Sequence, residues 1–233
     1  SAELAERRLS SIRLALVTPE RRPLEIFGRA ASNAVAQILA DREITVHTGR
    51  YPISLQDGEL RLIPSGSIRA ERVVALPRLE GQRIPGLPQD AQGFVATDRF
   101  GQIRGLADVY AAGDITAFPV KQGGLAAQQA DVVAEAIAAR AGAAIDPRPF
   151  RPVLRGLLLT GKVPVYLRAE LEGGRGETSM VASEALWWPP AKIVGRHLAP
   201  FLASLANVEL APPPSGPGVL SVEVELGESV DTT

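Results

Sequence analysis

Residues 109–124 read Val-Tyr-Ala-Ala-Gly-Asp-Ile-Thr-Ala-Phe-Pro-Val-Lys-Gln-Gly-Gly. The apolar run Val109 to Ala112, with Asp108 before it, reads as a short strand and ends at Gly113-Asp114. Some ten residues later Gly124 opens an Ala-, Gln- and Glu-rich helix that runs to Ala141, built of strong helix formers. Leu125, Val132, Val133, Ala136 and Ile137 mark its expected apolar side. A carboxylate just past the carboxyl end of a strand lies where doubly wound sheets bind their ligands. A glycine before it lets another group come close to the backbone. Such carboxylates accept hydrogen bonds from sugar-like hydroxyls. The helix that follows turns unpaired N–H groups and a positive dipole end toward whatever lies before it, which favours an anionic or electron-rich group. A polyol held by Asp114 beside an anionic ring at the helix start describes a flavin.

Outward from this stretch, the amino-terminal part repeats a strand–helix–strand scheme. Residues 1–9 read as the end of a helix, Ile12 to Val17 as a strand stopped by Thr18-Pro19. A helix follows, with Ser32 as its cap and Ala34, Val35, Ile38 and Leu39 on its apolar face, and then a strand, Ile44-Thr45-Val46. These are units of a parallel sheet. Residues 53–64 alternate apolar and polar around Asp57-Gly58, a hairpin signal that points to an antiparallel insertion. Val73 to Pro77 reads as a buried strand, 80–93 as a Gly/Pro-rich connector and Thr97 to Gly101 as a turn. In the last third, Leu154 to Thr160 and Val163 to Leu167 read as strands and 173–177 as a loop. Trp187 onward reads as a turn into a helix whose apolar residues are Ile193, Val194, Phe201, Leu202 and Leu205. The Pro212–Pro214 run ends compact structure, and Val219 to Leu226 reads as an edge strand or a tail.

Composition narrows the function classes. The 233 residues are 45% hydrophobic but only 5% aromatic, so the core is built of Ala, Val, Leu and Ile, as in layered α/β proteins. A net charge of −1 from 25 basic and 26 acidic residues offers no nucleic-acid surface. No apolar stretch reaches the roughly 18 residues of a membrane span, and the default expectation is a cytoplasmic chain. With no cysteine there is no disulfide, thiolate metal site or redox Cys pair within these residues. The two histidines, His47 and His197, lie far apart and read as surface or packing groups rather than ligands.

Thr97 followed by Val109-Tyr110-Ala111-Ala112-Gly113-Asp114 resembles the second flavin-binding motif of the FAD-dependent pyridine nucleotide-disulfide oxidoreductase superfamily. The continuation, Lys121-Gln122-Gly123-Gly124-Leu125-Ala126-Ala127-Gln128-Gln129-Ala130, is similar to its type II NADH dehydrogenase and sulfide:quinone oxidoreductase branch. The likeness covers most of residues 1–205 and is most specific over 97–130. It implies a doubly wound, Rossmann-like FAD/NAD(P)-binding fold of α/β class, with a small α+β segment at the carboxyl end. Residues 1–93 would form part of an NAD(P)-binding domain, 94–145 the last part of an FAD-binding domain, and 146–233 an interface segment.

By the same resemblance, Asp114 binds the ribityl chain or an adjoining phosphate of FAD and Gly113 permits the approach. Gln122, Gly123 and Gly124 border the pyrimidine edge of the ring. The N–H groups at Gly124–Leu125 face its O2 and stabilise the charge that grows there on reduction. Lys121 adds charge at the same edge or is simply solvated. Glu20 matches the acidic residue that accepts the ribose hydroxyls of NAD, while Arg21 and Arg22 argue equally for NADP.

The superfamily grips its two pyrophosphates with Gly-x-Gly-x-x-Gly turns, and this sequence has neither. The chain is therefore expected to be the carboxyl-terminal part of a longer flavoprotein, truncated at the amino end and binding FAD weakly by itself. Lack of cysteine disfavours sulfide oxidation and thioredoxin-reductase-like chemistry. The implied reaction is hydride transfer from NAD(P)H to flavin and then electrons to a quinone or other acceptor, with no catalytic side chain required. The alternative is a non-catalytic dinucleotide-binding or interaction module of the same fold. An exposed edge on a truncated sheet favours a homo-dimer. Trp187-Trp188-Pro189-Pro190, with Lys192, Arg196 and Phe201 beyond, suggests either peripheral membrane contact or packing in a core or interface.

Overall fold

The structure, a computed structural model, describes residues 12–161, 163–172, 175–189, 194–206 and 220–221. The amino-terminal helix expected over 1–9, Ile193, Lys192 and most of 219–226 lie outside them.

Strand β1 (Ala15–Val17) pairs in parallel with β2 (Thr45–His47), in the register Ala15 to Thr45 and Val17 to His47. The crossover between them contains a 3₁₀ turn (Glu25–Phe27) and helix α1 (Gly28–Ala40). This is the expected parallel unit. Its helix starts earlier than expected, however, and Ser32 is no cap: it sits inside α1, buried, with its hydroxyl unpartnered. The hydroxyl that serves the start of α1 comes from far away, Ser179 Oγ accepting the Ala31 N–H at 3.1 Å. Tertiary packing has replaced the local cap.

The hairpin expected at Asp57-Gly58 is present, with both residues at positive φ (50° and 75°) as a two-residue turn requires. It joins β3 (Tyr51–Gln56) to β4 (Glu59–Ile63), and a third antiparallel strand, β5 (Ser67–Arg69), extends the sheet. Val73 to Pro77 is not a buried strand. Among the described residues it has no β partner, and Val74 and Leu76 are 94% and 95% exposed. An apolar run supplies the side chains of a buried strand but not the neighbours that bury it.

Residues 80–117 hold together through turns and single bridges. The backbone of Gly81 crosses that of Gly93 so closely that a Cβ on Gly81 would lie 2.1 Å from the Gly93 carbonyl oxygen. Asp90 and Asp98 each accept two backbone N–H groups through one carboxylate oxygen. The strand expected over 108–112 reduces to one bridge, Tyr110 to Gln102, because among the described residues nothing flanks it with a continuous ladder. Helix α2 (Gly123–Arg140) forms as expected. Its buried face is Leu125, Ala127, Gln129, Glu135 and Ala136, while Ile137, expected inward, is exposed.

The carboxyl-terminal part is an antiparallel sheet of β6 (Val153–Leu158), β7 (Val165–Glu172) and β8 (Arg175–Ala182). Of the loop expected over 173–177, residues 173–174 lie outside the described residues and 175–177 belong to β8, with Arg175 paired to Glu172 of β7. One face of the sheet carries Leu154, Leu167, Ala169 and Leu171 and packs on Phe27, Ala31 and Val35 of the first segment and Leu125 of α2. That shared core joins all three parts of the chain. Gly156 makes room for the Phe27 ring, whose Cζ would lie 3.0 Å from a Cβ there. The opposite face carries Tyr166 and Met180 beneath Leu186, Trp187 and Val194. Trp187 belongs to β9 (Trp187–Trp188), which pairs with β10 (Leu220–Ser221); helix α3 (Leu198–Leu205) follows β9, with Phe201, Leu202 and Leu205 exposed. Trp187 is only 4% exposed and stacks edge-on against Tyr166, ring centroids 5.4 Å apart.

Candidate functional site

Gly113 begins a 3₁₀ turn, Gly113–Ile115, with φ 79°. A Cβ there would touch Ala126 Cβ at 3.4 Å, so the turn sits directly against the first turns of α2. Four hydrogen bonds fix it. The Gly113 N–H donates to Gln129 Oε1 at 2.7 Å, and Gln129 Nε2 donates to Thr116 Oγ1 at 3.3 Å. The Thr116 hydroxyl donates to the Gly113 carbonyl at 2.9 Å, and the Thr116 N–H reaches the same oxygen at 3.1 Å. Thr116 is 1% exposed and Gln129 is buried, so the network is shielded from water. Bonds from Val95 N–H to the Ile115 carbonyl (2.9 Å) and from Ala117 N–H to the Val95 carbonyl (2.7 Å) tie the turn to the preceding segment. With the backbone so held, the Asp114 side chain stands exposed.

Neither Thr116 nor Gln129 stood out as functional in the sequence. The available signal was an amide on the buried face of an alanine-rich helix, where an apolar residue belongs unless a buried polar group needs a partner.

Gln122 is extended (φ −152°, ψ 135°) and precedes α2; its carbonyl accepts the N–H groups of Leu125 (3.0 Å) and Ala126 (2.9 Å). The N–H groups of Gly123 and Gly124 stand ahead of that ladder. A Cβ at Gly123 would meet nothing within 4 Å, and one at Gly124 only Gln122 Oε1 at 3.6 Å. Space is therefore open over the helix start. Gln122 Oε1 is buried without a partner, while Gln122 Nε2 donates to the Arg155 carbonyl at 2.9 Å. Gln128 bonds Val153 in both directions, so two amides stitch the start of α2 to β6.

Lys121 bridges the two halves of the site. Its ammonium donates to the Thr116 carbonyl and sits 4.0 Å from the centroid of the Phe94 ring. Burial pushes its pKa down; the carboxylates of Asp114 and Asp90 act in the opposite sense, which places the ammonium in the field of Asp114. Glu20 follows β1, as the sequence suggests, at some remove along the chain. Its Oε2 is engaged locally by the Thr18 hydroxyl and the Leu24 N–H, each at 3.2 Å. Thus Gly113, Asp114, Lys121, Gln122, Gly123, Gly124 and Leu125 converge on one end of α2, and Glu20 belongs to the β1 end of the parallel unit. Among the described residues no group of three or more His, Asp or Glu side chains suits a metal.

No family model and no curated protein matches this sequence. Solved structures do match. The sulfide:quinone oxidoreductase of Aquifex aeolicus aligns over 78% of this chain and 48% of its own, with TM-score 0.61 and 15% identity. LpdA of Mycobacterium tuberculosis aligns over 68% and 35%, with TM-score 0.52 and 14% identity. The fold is that of the pyridine nucleotide-disulfide oxidoreductases. A NAD-dependent persulfide reductase of A. fulgidus shares this Rossmann-like oxidoreductase fold at TM-score 0.50 and 14% identity, over 70% of this chain and 32% of its own. The chain spans less than half the length of each of these three structures. In this oxidoreductase fold the doubly wound α/β class read from the sequence is present, with the antiparallel β3–β5 and β6–β8 sheets beside the parallel β1–β2 pair.

Proposed function

We propose that this chain is part of an FAD-dependent oxidoreductase that passes reducing equivalents from NAD(P)H to a quinone or another acceptor. The observation that carries the reading is the exposed Asp114 on a rigid Gly113 turn, packed against the open, glycine-lined start of α2. The fit is chemical as well as spatial. Gln122 Oε1 is a buried acceptor without a partner, and the N–H groups of Gly123 and Gly124 stand ahead of the α2 ladder, so this helix start would offer a flavin ring both an acceptor and donors.

In this reading Asp114 accepts hydroxyls of the ribityl chain or sits beside the phosphate, and Gly113 keeps the backbone clear for it. Gln122, Gly123, Gly124 and Leu125 border the pyrimidine edge, where the helix dipole favours negative charge. Lys121 adds a cation near that edge, at the cost of partial burial. Bound FAD would supply the electron-transfer chemistry; the protein supplies orientation and electrostatics. Glu20 would receive the nicotinamide dinucleotide's ribose, with Arg21 and Arg22 leaving NADH and NADPH both open.

The coverage of the solved structures and the lack of a Gly-x-Gly-x-x-Gly turn support a chain that works within a longer flavoprotein, with 1–93, 94–145 and 146–233 as its dinucleotide, flavin and interface portions. A homo-dimer and a peripheral membrane contact belong to the same proposal. For the latter, the exposed side chains of α3 are better placed than buried Trp187. The second reading, a non-catalytic module, draws on the local engagement of Glu20 and Lys121, which already satisfies both groups.

The visible absorption spectrum of the purified full-length protein, with this chain and added FAD beside it, separates the two. Flavin bands that weaken in Asp114→Ala support the oxidoreductase. No flavin in either sample, with FAD in excess, favours the module.

A further inference from the structure

A cavity lies away from the Gly113–Asp114 turn. It encloses about 410 Å³ between the middle of α2, the 148–151 loop, β6 and the Val194–Arg196 segment. Its walls hold four guanidinium groups, of Arg148, Arg151, Arg155 and Arg196, against two carboxylates, of Asp131 and Glu135.

The carboxylates are spoken for. Glu135, 6% exposed, receives Arg148 Nη2 at 3.1 Å and Arg196 Nη1 at 2.8 Å, with His197 Nε2 at 3.4 Å. Asp131 accepts the backbone N–H groups of Arg196 and His197. Arg155 is left over. Among the described residues its guanidinium makes no hydrogen bond or ion pair, and Nε and Nη1 are buried without acceptors; Arg196 Nε is in the same condition. Its cross-strand neighbour on the same sheet face is Arg168, which bonds Glu170 at 2.7 Å and only adds like charge. Burial, and after it Arg168, push the pKa of Arg155 down to about 10, so it remains charged at neutral pH. A part-buried cation whose Nε and Nη1 lack acceptors is costly unless something supplies a counter-charge.

Val132, Pro149, Phe150 and Val194 make the rest of the wall apolar. We propose that this cavity is an anion site, taking a small organic molecule with a carboxylate or phosphate head against Arg155 and an apolar body along Phe150. The volume is in the range of small-ligand sites, and guanidinium groups suit either head. The site does not rest on the flavin reading: it lies along the middle of α2 and uses none of the residues assigned to FAD.

The test is thermal unfolding of the full chain titrated with benzoate and, separately, phenyl phosphate, against sodium chloride at equal ionic strength. A saturable rise in melting temperature is expected with at least one probe, about 3–6 °C at ten times the dissociation constant. The probe that acts identifies the head group. Arg155→Met, which keeps the stem and removes the charge, should lose the response and, without added anion, melt higher than the parent chain. No saturable rise with either probe would overturn the proposal, as would a full response or a lower anion-free melting temperature in Arg155→Met. If that variant does not fold, Arg155→Gln should show the same loss of response, and its retention would equally overturn the site.

Discussion

Gln129 Oε1 accepts the Gly113 N–H at 2.7 Å, so a side chain two turns into α2 fixes the backbone that presents Asp114. The same amide reaches Thr116 Oγ1, which bonds back to Gly113. Replacing Gln129 by Leu would leave the part-buried Gly113 N–H without its acceptor and take one donor from the Thr116 hydroxyl. Stranded buried groups cost about 1–3 kcal/mol each at most, and the hydroxyl can keep its bond to Gly113, so a loss of roughly 1–3 kcal/mol in urea unfolding is expected. A loss below about 0.5 kcal/mol would mean the network is slack.

The glycines should rank by what a methyl group would strike. Gly113→Ala meets only a 3.4 Å contact with Ala126 Cβ and the strain of φ 79°, about 1–2 kcal/mol. Gly101→Ala combines φ 80° with a 2.3 Å approach to Val133 Cγ2, and Gly81→Ala strikes backbone at 2.1 Å. Both should be more damaging than Gly113→Ala in thermal melts, and Gly81→Ala the worst, because backbone cannot swing aside.

Asp131 sets a pH dependence. Burial raises its pKa above 3.8, reinforced by Glu135 and opposed by the His197 and Leu198 N–H groups and the His197 charge. A raised carboxyl pKa means the folded state disfavours the ionised form. The stability this group contributes is full below 3.8 and is lost as pH rises through its folded value. Asn in its place escapes that cost but keeps an oxygen for only one of the two N–H groups, because Arg196 N–H bonds Oδ2 and His197 N–H bonds Oδ1. The stability of Asp131→Asn relative to the parent should therefore rise between pH 3.8 and pH 7.5, measured by urea unfolding at both ends; a difference that does not change with pH would contradict this.

Exposed apolar residues should behave as surface. Val74→Ser and Leu76→Ser are expected within about 0.5 kcal/mol of the parent chain. Leu167→Ala, at a fully buried position beneath Phe27, should cost about 2–5 kcal/mol. A large loss at Leu76 in denaturant titration would place that segment inside a core after all.

Local chemistry made some of this architecture legible. Asp57-Gly58 announces its own turn, and the alanine-rich run after Gly123 can hardly be anything but helix. The convergence of Gly113, Asp114 and Lys121–Leu125 was readable because those residues are near in sequence and each has a local conformational reason. Illegible features depended on distant partners. Ser32 resembles a cap, but Ser179, 148 residues from Ala31 in the chain, serves that helix start. Val73 to Pro77 has a strand's composition and no neighbours to pair with. Arg155 gives no sign in sequence that its counter-charge is missing, since that emerges only when Glu135 is seen to be taken by Arg148 and Arg196.

The proposed flavin site is Asp114 with the start of α2. Its most direct test is a titration of FAD into the full chain, followed by quenching of flavin fluorescence, beside Asp114→Ala and Gln129→Leu. Saturable quenching that weakens at least tenfold in Asp114→Ala, the equivalent of about 1.4 kcal/mol, is expected, with a smaller loss in Gln129→Leu. Equal affinity of the parent chain and Asp114→Ala would contradict the account.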